Sequence, residues 1–233
     1  MARSLVFLSS VLAASSVVLV ATAASAQTAP AAATAAEGND HDGVVGHFAV
    51  GYFGISQLPV GAAPTGANQP AGQGIVNAPV IGARYWITPK LGIDGGIGFG
   101  YQDTSGASTW GLAIHGGVPI ALGTSHHFTF ELTPEATLGF SGGSTPLGVN
   151  QSASLSGFLL DLGAKIGAEL QFGFIGIPQL SLQANVGVYL QQEAWGYTAA
   201  GTTTSTTATT LSTSVGSNPW AIFTDTVSAL YYF

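Results

Sequence analysis

From residue 44 onward the chain alternates between apolar and small or polar positions with a period of two. Eight segments show it, at 45–55, 75–87, 91–102, 110–122, 128–140, 155–172, 179–191 and 220–233. The third reads LGIDGGIGFGYQ, with Leu91, Ile93, Ile97, Phe99 and Tyr101 on one parity and Gly92, Asp94, Gly96, Gly98, Gly100 and Gln102 on the other. Successive side chains of a strand point to opposite faces, so this period predicts strands with one apolar face. The glycines also suggest a phosphate-cradling loop, but the G-x-G-x-x-G spacing is missing and no helix opens after them. What remains is a strand whose second face is cramped.

The connections alternate as well. Residues 88–90, 123–127 and 173–178 are short, whereas 56–74, 103–109, 141–154 and 192–219 are longer or richer in Gly, Ser and Thr. A meander with short turns at one end and long loops at the other is the pattern of transmembrane barrels.

The charges sharpen the picture. In segments two to seven the ionisable Asp, Glu, Lys and Arg residues are Arg84, Asp94, Glu131, Glu135, Asp161, Lys165 and Glu169. Each lies on the parity opposite the large apolar residues of its own segment. A basic side chain facing lipid near the midplane costs about 2–4 kcal/mol, and an acidic one less, so lipid would select this pattern. A soluble β-sandwich also alternates, but its outward face carries Lys and Glu; here the polar face is mostly Gly, Ala, Thr and Gln. Aromatic residues gather near the segment ends, as in the girdles of a membrane barrel.

Composition agrees. Charged residues make up 6% of the chain, against roughly 25% in ordinary globular domains. Past the first 26 residues no apolar run reaches the ~20 residues a spanning helix needs. A closed barrel is the other structure that crosses a bilayer with its backbone satisfied. The formal charge of −7 argues against nucleic acid as a partner. At the N-terminus, Arg3, the apolar run 5–20 and Ala24-Ser25-Ala26 read as a cleaved signal peptide over 1–26. Residues 27–43, QTAPAAATAAEGNDHDG, read as a disordered periplasmic leader, and 44–233 as the barrel. The absence of cysteine excludes both a lipid anchor on cysteine and a disulfide framework.

The chain ends VSALYYF, with Val227, Ala229, Tyr231 and Phe233 on one parity. This resembles the terminal strand of outer-membrane β-barrel proteins. The resemblance implies that Tyr231 and Phe233 form a signal for the barrel-assembly machinery. Asp225, on the same parity, departs from the family's apolar pattern. Eight strands resemble the small OmpA/OmpX-type barrels, without a peptidoglycan-binding domain. The fold expected is therefore all-β: a membrane-spanning, antiparallel up-and-down barrel of eight strands. A barrel this narrow is filled by side chains, which argues against a general diffusion porin.

Turn symmetry predicts what fills it. Pairing around Pro89 sets Arg84 opposite Asp94; pairing around Ser125 sets His115 opposite Glu135 and Pro119 opposite Glu131. Asp161, Lys165 and Glu169 form an in-phase row. Because an unpaired buried ion costs several kcal/mol, the expectation is a lumen polar network of paired charges. The competing reading is a His–carboxylate general base. GFSGG at 139–143 matches the nucleophile-elbow pattern, but loop-like sequence follows where that motif needs a helix. NDHDG at 39–43 lacks the spaced ligands of a calcium loop. His126-His127 falls on a turn, and the threonine-rich run 201–214 extends the last hairpin or forms a surface loop.

No catalytic residue, metal or cofactor follows from these patterns, which point to a non-enzymatic, monomeric outer-membrane protein. Its expected partners are outer-membrane lipid and lipopolysaccharide, its N-terminus is periplasmic, and its role is structural or surface-interacting through the external loops. A narrow conduit for small or apolar solutes is the second reading, and a lipid-modifying barrel enzyme the third.

Overall fold

A computed structural model describes residues 39–66, 69–104, 106–148, 150–214 and 227–233. The predicted signal peptide, most of the leader, Trp220 and Asp225 lie outside the described residues. The strands, in chain order, are β1 (Phe48–Ala62), β2 (Gly72–Thr88), β3 (Leu91–Thr104), β4 (Ala107–Gly117) and β5 (Ile120–Ser125). They continue with β6 (Phe128–Gly148), β7 (Gln151–Phe172), β8 (Ile177–Ala199), β9 (Thr202–Thr213) and β10 (Val227–Tyr232).

Every pairing is antiparallel, and β10 pairs with both β1 and β8, which closes the ring. β4 and β5 form one stave interrupted at Val118-Pro119, where proline cannot donate to the ladder. β9 and β10 lie along one line, both paired to β8. The result is an eight-stave up-and-down barrel, as the alternation predicts.

The outer surface separates into two zones. Phe128, Phe130, Leu138 and Phe140 on β6, with Leu162, Ile166, Val186, Val188 and Leu190 on β7 and β8, are exposed and make an apolar band. On β3, Ile97, Phe99 and Tyr101 are each at least 60% exposed, so the parity of LGIDGGIGFGYQ is the one that faces outward. The band stops at the levels of the cross-strand pairs Phe140–Phe158 and Leu190–Leu211. Beyond it β6, β7, β8 and β9 continue together for about eight residues, roughly 26 Å of strand at ~3.3 Å per residue. The outward side chains there include Ser144, Ser152, Ser154 and Ser156, then Gln192, Thr203, Ser205, Thr207 and Thr209, with Leu147 exposed near the β6–β7 tip.

The long connections are therefore mostly strand. The stretch 141–154 is paired except at its tip, and the threonine run is β9 rather than a loop. Apolar contrast ends where the band ends, but backbone pairing does not.

The β1–β2 hairpin behaves differently. β1 pairs with β10 as far as Tyr52↔Ala229, and β2 pairs with β3 as far as Val80↔Gly98. Above those points the hairpin leaves the wall; Gly54, at φ 104, sits in the bulge where β1 turns away. Leu58, Val60, Val76 and Ala78 are buried, and Cβ atoms added at the inward-facing Gly111 or Gly139 would collide with Leu58. A Cβ at Gly157 would strike the Pro59 backbone. Ser141 Oγ donates to Pro59 O, and Trp195 Nε1 donates to Ala71 O at 3.1 Å. The hairpin thus lies in the lumen on a glycine-lined bed, and the glycines opposite the apolar parity make room for backbone as well as for side chains.

The turn end is also stoppered. Asp40–Gly43 is a 3-10 helix capped by Asn39, whose side chain accepts from His41 N at 3.1 Å. His41 is fully buried, with Nε2 2.9 Å from Pro89 O and its ring edge-on to Trp86 at 4.6 Å. Asp40 Oδ2 accepts from His127 Nδ1 at 2.6 Å and from Gly173 N at 3.1 Å. The last residues of the acidic leader, expected to be disordered, are ordered because Asp40 and His41 find partners on the turns.

Candidate functional site

Below the inserted hairpin the lumen holds two tiers of polar side chains. The lower tier is built on Arg84. Its Nε and Nη2 donate to the two oxygens of Asp94, both at 2.7 Å, a bidentate fork set by the register Arg84↔Asp94. Nη1 donates to Glu169 Oε2 at 2.8 Å and approaches Glu131 Oε2 at 3.3 Å; Nη2 also reaches Gln183 Oε1 at 3.1 Å. Gln183 Nε2 donates onward to Glu131 Oε2 at 2.7 Å. Tyr232 OH donates to Glu169 Oε1 at 3.0 Å and accepts from Trp86 Nε1 at 3.1 Å. Arg84, Asp94, Glu131 and Glu169 have no exposed side-chain surface. One guanidinium, with every nitrogen engaged, holds together staves β2, β3, β6, β7 and β8.

The upper tier is built on Glu135. Lys165 Nζ lies 2.6 Å from Glu135 Oε2, and Tyr189 OH donates to Glu135 Oε1 at 2.8 Å. His115 Nε2 is 3.8 Å from Glu135 Oε2, while its Nδ1 bonds Thr137 Oγ1 at 3.0 Å. Asp161 Oδ2 accepts from Gln191 Nε2 at 3.3 Å, and Gln191 Oε1 accepts from Ser212 Oγ at 2.8 Å. Between this tier and the hairpin lies a cavity of about 430 Å³, reached by Phe53, Gln57, Leu159, Asn185 and Ser214 among others.

The structure brings these residues together in two tiers, and it departs from the turn-symmetry pairing in two respects. The β5–β6 turn is a two-residue loop, Ser125↔Phe128, with His126 at φ 45, and a bulge at Leu122 shifts the register again. His115 consequently stands opposite Thr137, and Glu131 opposite Ala121 rather than Pro119. An even shift preserves the parity, so His115 and Glu135 still meet, diagonally. The row on β7 does not act as a row: Glu169 joins Arg84, Lys165 joins Glu135, and Asp161 faces the cavity.

A reading of charged residues alone misses Trp86, Tyr232, Gln183, Tyr189, Gln191 and Asn185. All are inward on the same parity rule, and taking every polar or aromatic residue on that face finds them. Tyr231 and Phe233 face outward at 45% and 68% exposure beside buried Tyr232. Among the described residues no group of three or more His, Asp or Glu side chains is placed to hold a metal ion.

A closed all-β barrel with a stoppered lumen is the class these observations define. No family model and no curated protein matches the chain. The chain is similar to a solved structure, the attachment invasion locus protein Ail of Yersinia pestis, at 14% identity and a TM-score of 0.37. The match spans 80% of this chain and 97% of that one. A likeness so distant carries no weight here, and the architecture rests on the closed ring of strands described above.

Proposed function

We propose that the chain is an integral outer-membrane β-barrel whose work is done on the cell exterior, by the sheet of β6–β9 that projects beyond the apolar band. The observation that carries this is the change of outer surface at Phe140, Phe158, Leu190 and Leu211, from large apolar side chains to serine and threonine, while the backbone ladder continues. Lipid favours the first surface and water the second. The turn end then faces the periplasm, and the chain reaches the membrane after removal of its signal peptide.

A channel role is disfavoured by the geometry. The hairpin fills the upper lumen, and the Arg84 tier leaves no exposed side-chain surface across the lower one. Surface interaction through the projecting sheet fits better, since β9 has β8 as its sole strand partner among the described residues and carries a continuous hydroxyl face. The test is fractionation with gel migration. The protein is expected in the outer-membrane fraction, moving faster unheated than boiled, and giving no steady unit conductance in planar bilayers. Recovery in the soluble periplasmic fraction would overturn the proposal.

A further inference from the structure

The upper cavity has the chemistry of a binding site. Its permanent cation is already engaged: Lys165 is held 2.6 Å from Glu135. Asp161 has no cation within ion-pair reach among the described residues, and its Oδ1 is buried without a hydrogen-bond partner. Asn185, 5% exposed, lines the same cavity with Oδ1 also unpartnered. His115 Nε2, 3.8 Å from Glu135, is a third group of this lining without a hydrogen-bond partner, so what is missing beside Asp161 is a positive charge. Asp161 is half-buried, and a carboxylate partly withdrawn from water without a counter-ion carries a cost; buried polar atoms left unpaired call for an explanation.

The cavity volume of about 430 Å³ falls within the ~300–1,000 Å³ typical of small-molecule sites. Among the described residues, Gln57 in the lining is exposed to solvent. Leu159, Phe53 and Val80 supply an apolar side beside the acceptors.

We infer that this cavity binds a small organic cation, an alkylammonium or alkylguanidinium, whose N–H groups donate to Asp161 and whose short chain lies on Phe53 and Leu159. Asp161 supplies the charge and Asn185 a directional acceptor. Lys165, neutralised by Glu135, neither attracts an anion nor repels the cation strongly. The site requires the closed barrel alone, so it stands or falls separately from the membrane role.

The test is titration calorimetry of the purified full chain in detergent with n-butylguanidinium, n-butylammonium and, as the anionic control, n-butyrate. Saturable one-site binding of at least one cation, and none of butyrate, is expected. Asp161→Asn, nearly isosteric, weakens that binding tenfold or more. Asn185→Leu, which removes an acceptor and occupies cavity space, abolishes it, and folding of each variant is checked by heat-modifiable migration. No saturable binding of either cation, meaning a cavity that holds water alone, overturns the inference. So does butyrate binding as well as the cations, or unchanged affinity in either folded variant. The wild-type comparison of cation with anion decides the matter even if both variants fail to fold.

Discussion

The two tiers of the lumen use the same kinds of residue to opposite ends. In the lower tier, one arginine satisfies three carboxylates and a glutamine, aromatic groups close the remaining space, and the side chains have no exposed surface. In the upper tier, lysine and tyrosine satisfy one carboxylate, the second is left half-partnered, and a cavity remains beside it. The difference lies in what covers each. Side chains from four other staves converge on Arg84, whereas a hairpin backbone resting on glycines roofs the Glu135 tier without filling it. Full pairing makes a structural plug, and incomplete pairing beside free volume makes a site.

That contrast ranks the expected effects. Arg84→Met leaves buried carboxylates uncompensated and should cost about 3–5 kcal/mol, read as a lower denaturant midpoint or loss of the heat-modifiable form. Next, a double-mutant cycle with Arg84→Gln and Asp94→Asn should give a coupling of about 1–3 kcal/mol; no coupling would dissolve the lower tier as a unit. Gly157→Val places a side chain against the Pro59 backbone and should cost about 1–3 kcal/mol through overpacking. Protease cleavage within the displaced hairpin should be faster as well. Gly95→Ala is the control, because a Cβ there meets nothing within 4 Å, and its effect should stay within about 0.5 kcal/mol. Of the opposite sign, Asp161→Asn removes a carboxylate that has no counter-ion and should leave stability unchanged or higher. A loss as large as that of Arg84→Met would erase the distinction between plug and site.

Much of this was legible in the chain because a barrel wall imposes a strict parity. Side chains facing the band must be apolar, so Arg84, Asp94, Glu131, Glu135, Asp161, Lys165 and Glu169 could be assigned to the lumen from sequence position, and the Arg84–Asp94 pair from one tight turn. Register failed where turn geometry departs from symmetry, at His126 and Leu122. Strand length failed above the band. There Ser152 and Ser154 on β7, with Thr204, Ser205, Thr206 and Thr207 on β9, leave no apolar contrast to read, and on β9 hydroxyls occupy both faces. The inserted hairpin was hidden for a different reason. Gly111, Gly139 and Gly157 announce that something needs room, but glycine does not say what, and most of the occupant comes from 56–74, which reads in sequence as a long external connection.

If the apolar band lies in the outer membrane, the β6–β9 sheet stands outside it and the turns lie within. The chain contains no cysteine, so single cysteines report position cleanly. Ser154→Cys and Thr207→Cys, on the projecting sheet, should react with a membrane-impermeant maleimide on intact cells. Thr124→Cys, at the turn end, should react only after the outer membrane is permeabilised, and Leu162→Cys, in the band, should resist in both conditions. Labelling of Thr124→Cys on intact cells while Ser154→Cys and Thr207→Cys stay protected would invert the topology, and ready labelling of Leu162→Cys in membranes would contradict the membrane placement outright.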